Sequence, residues 1–156
     1  MNRSTRTSVA LGLAILVLAA AGTANARPAA ASCALATAAI HHTLGIIVMH
    51  PTQQVGHGSL LCSYSVNSVP DAVKVIFKTG VTLAAFHATR ASFFRSYPHA
   101  HETRGLGDAG FYAIQGSGPY GSTILFVHHH TSEVDVTAIS SLAKCERLAS
   151  ALLNHV

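Results

Sequence analysis

Short hydrophobic segments separated by turn residues dominate the middle of the chain, and this pattern predicts β-strands. Six segments share it: 46–49, 60–66, 73–77, 111–114, 124–127 and 134–136. Residues 67–71 are predicted to form a turn between two of these strands, and residues 128–132 form the turn of a later hairpin. The polar residues 51–58 are expected to be a loop, because they lack any apolar alternation.

Three further segments are predicted to be helical from their capping residues and apolar spacing. The first covers 38–44, with Thr37 as its N-cap and Gly45 at its end. The second starts after Thr82 and ends near residue 96, and the third is the C-terminal segment, whose apolar residues lie on one side. Runs of strands with few helices predict an α+β fold, in which an antiparallel sheet of about five to seven strands has two or three helices packed on one face.

The N-terminal segment has the pattern of a secretory signal peptide. Arg3 and Arg6 precede an apolar stretch over 9–21, which is short for a membrane span, and Ala24-Asn25-Ala26 matches a small-residue cleavage site. We therefore expect export to the periplasm or the cell exterior.

The expected cleavage divides the chain into three parts. These are a signal peptide over 1–26, a flexible spacer over 27–32 and a single α+β domain over 33–156. The alternative is a lipoprotein that is anchored through Cys33. Arg27 and Pro28 argue against lipid anchoring, because they separate this cysteine from the apolar stretch.

The charge of the chain gives no sign of a nucleic-acid partner. The sequence has 10 Lys and Arg against 6 Asp and Glu, and loss of Arg3 and Arg6 with the signal peptide reduces the net charge to +2. The remaining basic residues are scattered and form no stripe. No later apolar segment is long enough to span a membrane, so the expected partner is a small ligand or an envelope protein.

Three cysteines in an exported chain leave one cysteine free or paired with another molecule. We favour a disulfide between Cys33 and Cys62, which would join the first helix to an early strand. Cys145 lies within the apolar side of the C-terminal helix and is expected to be a buried thiol. A bridge between Cys33 and Cys145 is the alternative.

A glycine-rich corner over 104–112 precedes the strand at 111–114. Gly105 and Gly107 relax the backbone on either side of Leu106, whose side chain is expected to point into the core. Asp108 is expected to accept hydrogen bonds from nearby backbone donors. We interpret the corner as a structural turn, because the strand that follows offers no helix N-terminus for a phosphate group.

Four motifs occur in a fixed order along the chain: CALAT at 33–37, LG at 44–45, CSY at 62–64 and GLGDAGFY at 105–112. This order resembles a large group of small exported bacterial proteins and lipoproteins of unknown function, with the pattern C-x-L-x-T, LG, C-x-[YW] and GLGD-x-[AG]-[YF]-[YF]. The resemblance implies an α+β fold with Cys33 bridged to Cys62, and it implies no catalytic residues. The chain departs from this group in its unclear lipoprotein signal and its many histidines.

The chain has 11 histidines, which is its one compositional oddity. Side chains two residues apart face the same way in an extended segment, so the pairs His99/His101 and His128/His130 could each offer two imidazoles. Imidazole is a ligand for zinc, copper and nickel. No cysteine or carboxylate completes a familiar ligand spacing, and solvated loop histidines are the alternative.

Catalytic motifs are missing from the sequence. It contains neither H-E-x-x-H nor G-x-S-x-G, and the Gly/Ser stretch at 116–118 is too loose to bind phosphate. A triad of Asp108, a histidine and Ser117 could be drawn, but eleven histidines would permit this in any chain. We therefore expect an exported, non-catalytic domain that binds a ligand or protein partner. A histidine-mediated metal-binding protein is the first alternative, and an enzyme of unknown class is the second.

Overall fold

A computed structural model describes residues 31–49, 51–117 and 121–156, and within them the chain forms three helices and seven strands. The helices are α1 (Cys33–Leu44), α2 (Leu83–Ser96) and α3 (Leu142–Leu153). The strands are β1 (Thr52–Gly56), β2 (Ser59–Val66), β3 (Val69–Thr79), β4 (His101–Glu102), β5 (Ala109–Gln115), β6 (Ser122–His129) and β7 (Ser132–Ala138). The predicted signal peptide and residues 27–30 of the predicted spacer lie outside the described residues.

The strands form one antiparallel sheet with the order β1-β2-β3-β7-β6-β5-β4. The hairpin of β6 and β7 is inserted beside β3, so the last two strands of the chain lie near the middle of the sheet. The predicted α+β fold with an antiparallel sheet is therefore confirmed, and the sheet has the largest number of strands that we expected.

The helices are divided between the two faces of the sheet. Along β6, Leu125 and Val127 belong to the core cluster that contains α1 and α3, whereas Ile124 and Phe126 pack in the cluster that contains α2. Successive side chains of a strand point to opposite faces. Two helices therefore share one face, and α2 covers the other face over β5 and β6.

The larger core lies under α1 and α3 and is held by a disulfide. Cys33 at the start of α1 is bonded to Cys62 in β2, with their Cα atoms 5.5 Å apart, and this confirms the predicted pairing. The Tyr64 hydroxyl donates a hydrogen bond of 2.8 Å to the Cys33 carbonyl oxygen beside this bridge. Cys145 is a buried thiol in α3, and burial raises its pKa to about 11, so it is protonated at neutral pH.

The smaller core is aromatic and lies under α2. Phe86 and Phe93 of α2 contact Phe111 of β5 at ring-centroid distances of 5.0 and 5.1 Å, and Phe111 stacks on Phe126 of β6 at 4.7 Å. Thr82 caps α2 as predicted, because its hydroxyl accepts a hydrogen bond from the Ala85 amide. Phe86 and Phe93 are the buried residues of α2.

The first helix begins earlier than the sequence predicts. Ser32 is its N-cap, and the Ser32 hydroxyl accepts a hydrogen bond of 3.2 Å from the Leu35 amide. Thr37 lies inside the helix instead, where its hydroxyl donates to the Cys33 carbonyl oxygen at 2.7 Å. The added turn buries Cys33 and Ala36 against the larger core. The free energy gained from this burial exceeds the free energy that a cap at Thr37 would contribute.

The predicted strand at 46–49 and the predicted loop at 51–58 are both corrected by the structure. Residues 46–49 have no regular secondary structure, whereas Thr52–Gly56 forms the edge strand β1. All five residues of β1 are exposed, so no apolar alternation marks this strand in the sequence. Its pairing with β2 comes from backbone hydrogen bonds, which any residue but proline can donate.

Candidate metal centre

The four histidines that the sequence singles out are not grouped together. His128 is buried in β6, where its Nε2 lies 3.0 Å from the Val81 carbonyl oxygen, and its ring lies 5.2 Å from that of Phe86. A carbonyl oxygen only accepts, so Nε2 carries the proton. His101 lies in β4 with its ring 5.6 Å from that of Tyr112, and His99 lines a cleft with Tyr97. Of the four, only His130 belongs to a cluster of metal-ligand type among the described residues.

The turn between β6 and β7 has an unusual conformation for its residues. The strands end at His129 and resume at Ser132, so His130 and Thr131 form a two-residue connection. His130 has a φ of 56°, in the left-handed region where turns of this length usually have Asn, Asp or Gly. The His130 amide donates a hydrogen bond to Oδ2 of Asp108, which holds the turn in this conformation.

The glycine-rich corner brings Asp108 to this turn. Gly105 and Gly107 have φ values of 73° and 63°, and the Asp108 amide donates a hydrogen bond of 2.8 Å to the His128 carbonyl oxygen. A Cβ atom on Gly107 would lie 2.8 Å from Val127 Cγ1 and closer still to the His128 carbonyl oxygen. The backbone of the corner therefore packs directly on β6, and glycine is required for this contact.

Asp108, His129 and His130 form the candidate metal centre. One ligand atom from each residue lies within 4.8 Å of the other two. Nδ1 of His129 lies 3.4 Å from Oδ1 of Asp108, and among the described residues this nitrogen is shielded from solvent and has no hydrogen-bond partner. The rings of His129 and His130 are 4.0 Å apart. Two imidazoles and a carboxylate are a donor set that late transition metals accept.

The electrostatics of the centre keep the Asp108 carboxylate ionised. The hydrogen bond from the His130 amide lowers the pKa of Asp108 below its ordinary value, and the imidazoles of His129 and His130 have the same effect when they are charged. Asp108 is therefore ionised at neutral pH, as a metal ligand must be. All three side chains are at least partly exposed, although Nδ1 of His129 itself is shielded from solvent.

Sequence reasoning missed two of the three ligands for identifiable reasons. The rule that pairs residues two apart assumes a flat strand, and it separates His129 from His130. The left-handed conformation of His130 breaks that alternation and brings the neighbouring rings together. Asp108 was expected to bond nearby backbone donors, but its acceptor contact is with a residue 22 positions away.

A cleft of about 230 Å³ adjoins the centre, and Asp108 is part of its wall. Arg90, which interrupts the apolar face of α2, forms an ion pair with Glu102 at this cleft, and its guanidinium lies 4.6 Å from the centre of the Phe94 ring. Among the described residues, Nε of Arg90 and the Thr103 hydroxyl have no hydrogen-bond partner. The cleft therefore has a cation in its lining, and two polar atoms of its lining residues are shielded from solvent.

A buried ionic cluster lies on the same face of the sheet as α2. Nζ of Lys78 is 2.6 Å from Glu133 and 2.7 Å from Asp135, and both carboxylates are almost fully buried. Burial and the neighbouring Glu133 raise the pKa of Asp135 well above its ordinary value, and Lys78 offsets only part of this. Burial opposes the charge on Lys78, but the two carboxylates outweigh it and raise the Lys78 pKa. Asp135 therefore loses its proton at a higher pH than an exposed aspartate does.

The chain was compared with protein-family models, with curated proteins and with solved structures, and none of them matches. Among the helices of the described residues, none is both long and apolar enough to cross a membrane.

Proposed function

We propose that the chain is an exported, non-catalytic domain whose ligand is a divalent transition metal, Zn²⁺, Cu²⁺ or Ni²⁺. The observation that carries this proposal is the convergence of Asp108, His129 and His130 within 4.8 Å at the turn between β6 and β7. The metal would be bound by two imidazoles and one carboxylate, with the remaining coordination positions open to water or to another ligand.

The local backbone supports a functional role for this turn. His130 adopts a left-handed conformation where a glycine or asparagine would cost less, and Asp108 is fixed beside it by two hydrogen bonds that link the corner to the hairpin. Unfavourable conformations of this kind concentrate at ligand sites. The Asp108 carboxylate and the backbone of the turn are thus held in position before the metal binds, which reduces the entropy cost of binding.

Export is supported by the signal-peptide pattern and by the disulfide. The Cys33–Cys62 bridge is of the kind that forms in oxidising compartments. Metal binding itself does not depend on export, because the metal ligands lie far along the chain from the predicted signal peptide.

Isothermal titration calorimetry of the untagged mature protein with Zn²⁺ tests the proposal. Asp108→Asn retains an acceptor for the His130 amide but removes the charge, and His130→Asn retains a residue that tolerates positive φ but removes the imidazole. We expect each variant to lose at least about tenfold in Zn²⁺ affinity. His99→Asn, outside the cluster, should bind Zn²⁺ as the unmodified protein does.

Two results would overturn the metal proposal. One is the lack of Zn²⁺, Cu²⁺ and Ni²⁺ binding to folded protein at micromolar concentrations. The other is equal affinity in His130→Asn and the unmodified protein together with a loss in His99→Asn, which would place the site at the edge of the sheet near β4.

A further inference from the structure

We infer that the cleft beside Asp108 binds a small dicarboxylate, which completes the coordination of the metal at Asp108, His129 and His130. The inference rests on the proposed metal site, because Asp108 belongs both to the metal cluster and to the wall of the cleft. One carboxylate of the ligand binds the metal at an open position, and the other binds the guanidinium of Arg90.

The size of the cleft limits the ligand to a small molecule. The cleft has a volume of about 230 Å³ and lies between α2, the end of β4 and the start of β5. A water molecule occupies about 30 Å³ of liquid volume, so the cleft corresponds to roughly eight waters. Pockets for drug-sized ligands begin at about 300 Å³. A four-carbon acid fits this space, whereas a nucleotide or a peptide does not.

Arg90 supplies the recognition of a carboxylate. Its planar guanidinium can bind a carboxylate through two parallel hydrogen bonds. Its present partner, Glu102, has a side chain that is 61% exposed, so the ion pair contributes little and is readily replaced. Nε of Arg90 and the Thr103 hydroxyl are shielded and lack partners among the described residues. Movement of Arg90 away from Glu102 would give both groups an acceptor on the ligand.

The charges in the cleft set the order of binding. Without a metal, the charge of Arg90 faces the carboxylates of Glu102 and Asp108, and the net charge of −1 repels an anion. A divalent ion at Asp108 changes this net charge to +1. The dicarboxylate therefore binds after the metal, and the metal-free protein has no measurable affinity for it.

Co²⁺ in place of Zn²⁺ provides a visible absorption spectrum that reports a change of ligand at the metal. Fumarate is a suitable probe, because its rigid trans geometry prevents both carboxylates from binding the same ion. Crotonate is the matched control with the same carbon skeleton and one carboxylate. We expect fumarate to change the spectrum of the Co²⁺-loaded protein at a concentration at least about tenfold lower than crotonate does.

Variants at the cleft sharpen the test. Arg90→Gln should bring the affinity for fumarate down to that for crotonate, while Arg95→Gln on an exposed part of α2 should leave it unchanged. Glu102→Gln should raise the affinity for fumarate, because it removes the competing carboxylate. Arg90→Lys retains the charge without the planar fork, and it replaces Arg90→Gln in the comparison if the latter fails to fold.

The outcomes separate the inference from the proposed function. A protein that takes up neither Co²⁺ nor Zn²⁺, Cu²⁺ or Ni²⁺ refutes the metal site and the dicarboxylate site with it. A Co²⁺ spectrum that fumarate and crotonate change at equal concentrations refutes the dicarboxylate site and leaves the metal site standing. Equal fumarate affinity in Arg90→Gln and the unmodified protein refutes the role of Arg90 and with it the assignment to this cleft.

Discussion

The two faces of the sheet bury different kinds of side chain. Under α1 and α3 the core is largely apolar, and the Cys33–Cys62 bridge joins helix to sheet. Under α2 the core is smaller and aromatic, and its face also carries the buried cluster of Lys78, Glu133 and Asp135. The cleft with Arg90 lies on this second face as well.

This difference indicates that the buried charged groups lie on one face, whereas the other face is apolar and cross-linked. Burial of charged groups costs free energy even when they are paired, and a small domain has little to spare. The apolar face and its cross-link offset that cost. Variants on the face under α1 and α3 should therefore lower the free energy of unfolding most. Variants of the charged groups on the face under α2 should raise it.

The largest expected effect is on the apolar face. The double variant Cys33→Ala/Cys62→Ala opens a loop with a sequence separation of 29 residues, and we expect a loss of about 3–4 kcal/mol in the free energy of unfolding. Urea denaturation measures it. Cys145→Ala, which leaves the bridge intact, should lose less. If the double variant is within about 1 kcal/mol of the unmodified protein, the cross-link is not what stabilises this face.

A smaller effect is expected at the glycine-rich corner. Gly107→Ala should lose about 2–3 kcal/mol, because the new Cβ adds contact with the β6 backbone to the strain of positive φ. Gly105→Ala is the matched control, because the φ of Gly105 is also positive but no described atom lies within 4 Å of the added Cβ. We expect this variant to lose about 1 kcal/mol in the free energy of unfolding. Thermal unfolding measures both. Unchanged stability of Gly107→Ala would contradict the close contact between the corner and β6.

The third prediction concerns the charged face, where we expect a substitution to increase the free energy of unfolding. The pKa of Asp135 is raised in the folded state, so its contribution to stability declines as pH rises from about 3.9, the unfolded value, through the folded value. Asp135→Asn keeps the shape without the charge. We therefore expect this variant to be more stable than the unmodified protein at pH 7, with the difference disappearing near pH 4.

Thermal unfolding between pH 4 and 8 measures this effect, with Asp71→Asn at an exposed position as the control. Lower stability of Asp135→Asn at pH 7 would mean that attraction to Lys78 exceeds the cost of burial. The charged cluster would then stabilise the fold, and the division between the two faces would not hold.

Much of the fold follows from the sequence, because burial imposes a readable pattern on β2, β3, β6 and α3. The pairing of Cys33 with Cys62 was predicted because Cys145 lies on the apolar side of α3. The edge strand β1 gives no such pattern, since all its side chains are exposed.

The candidate site was predictable only in part, because its geometry depends on tertiary contacts. Asp108 and His130 were both singled out, the first as a turn residue and the second as a metal ligand. Their contact joins two turns that are distant in the sequence. His130 joins His129 in the site through its own positive φ, whereas the strand-based rule pairs it with His128.

X-ray diffraction from crystals of the untagged protein with bound Zn²⁺, recorded at the zinc absorption edge, tests the central claim most directly. We predict one anomalous peak at about 2.0–2.2 Å from a carboxylate oxygen of Asp108 and from a ring nitrogen of each of His129 and His130. A peak at His99 and His101 instead, or fully loaded crystals with no peak at the turn between β6 and β7, would contradict the account.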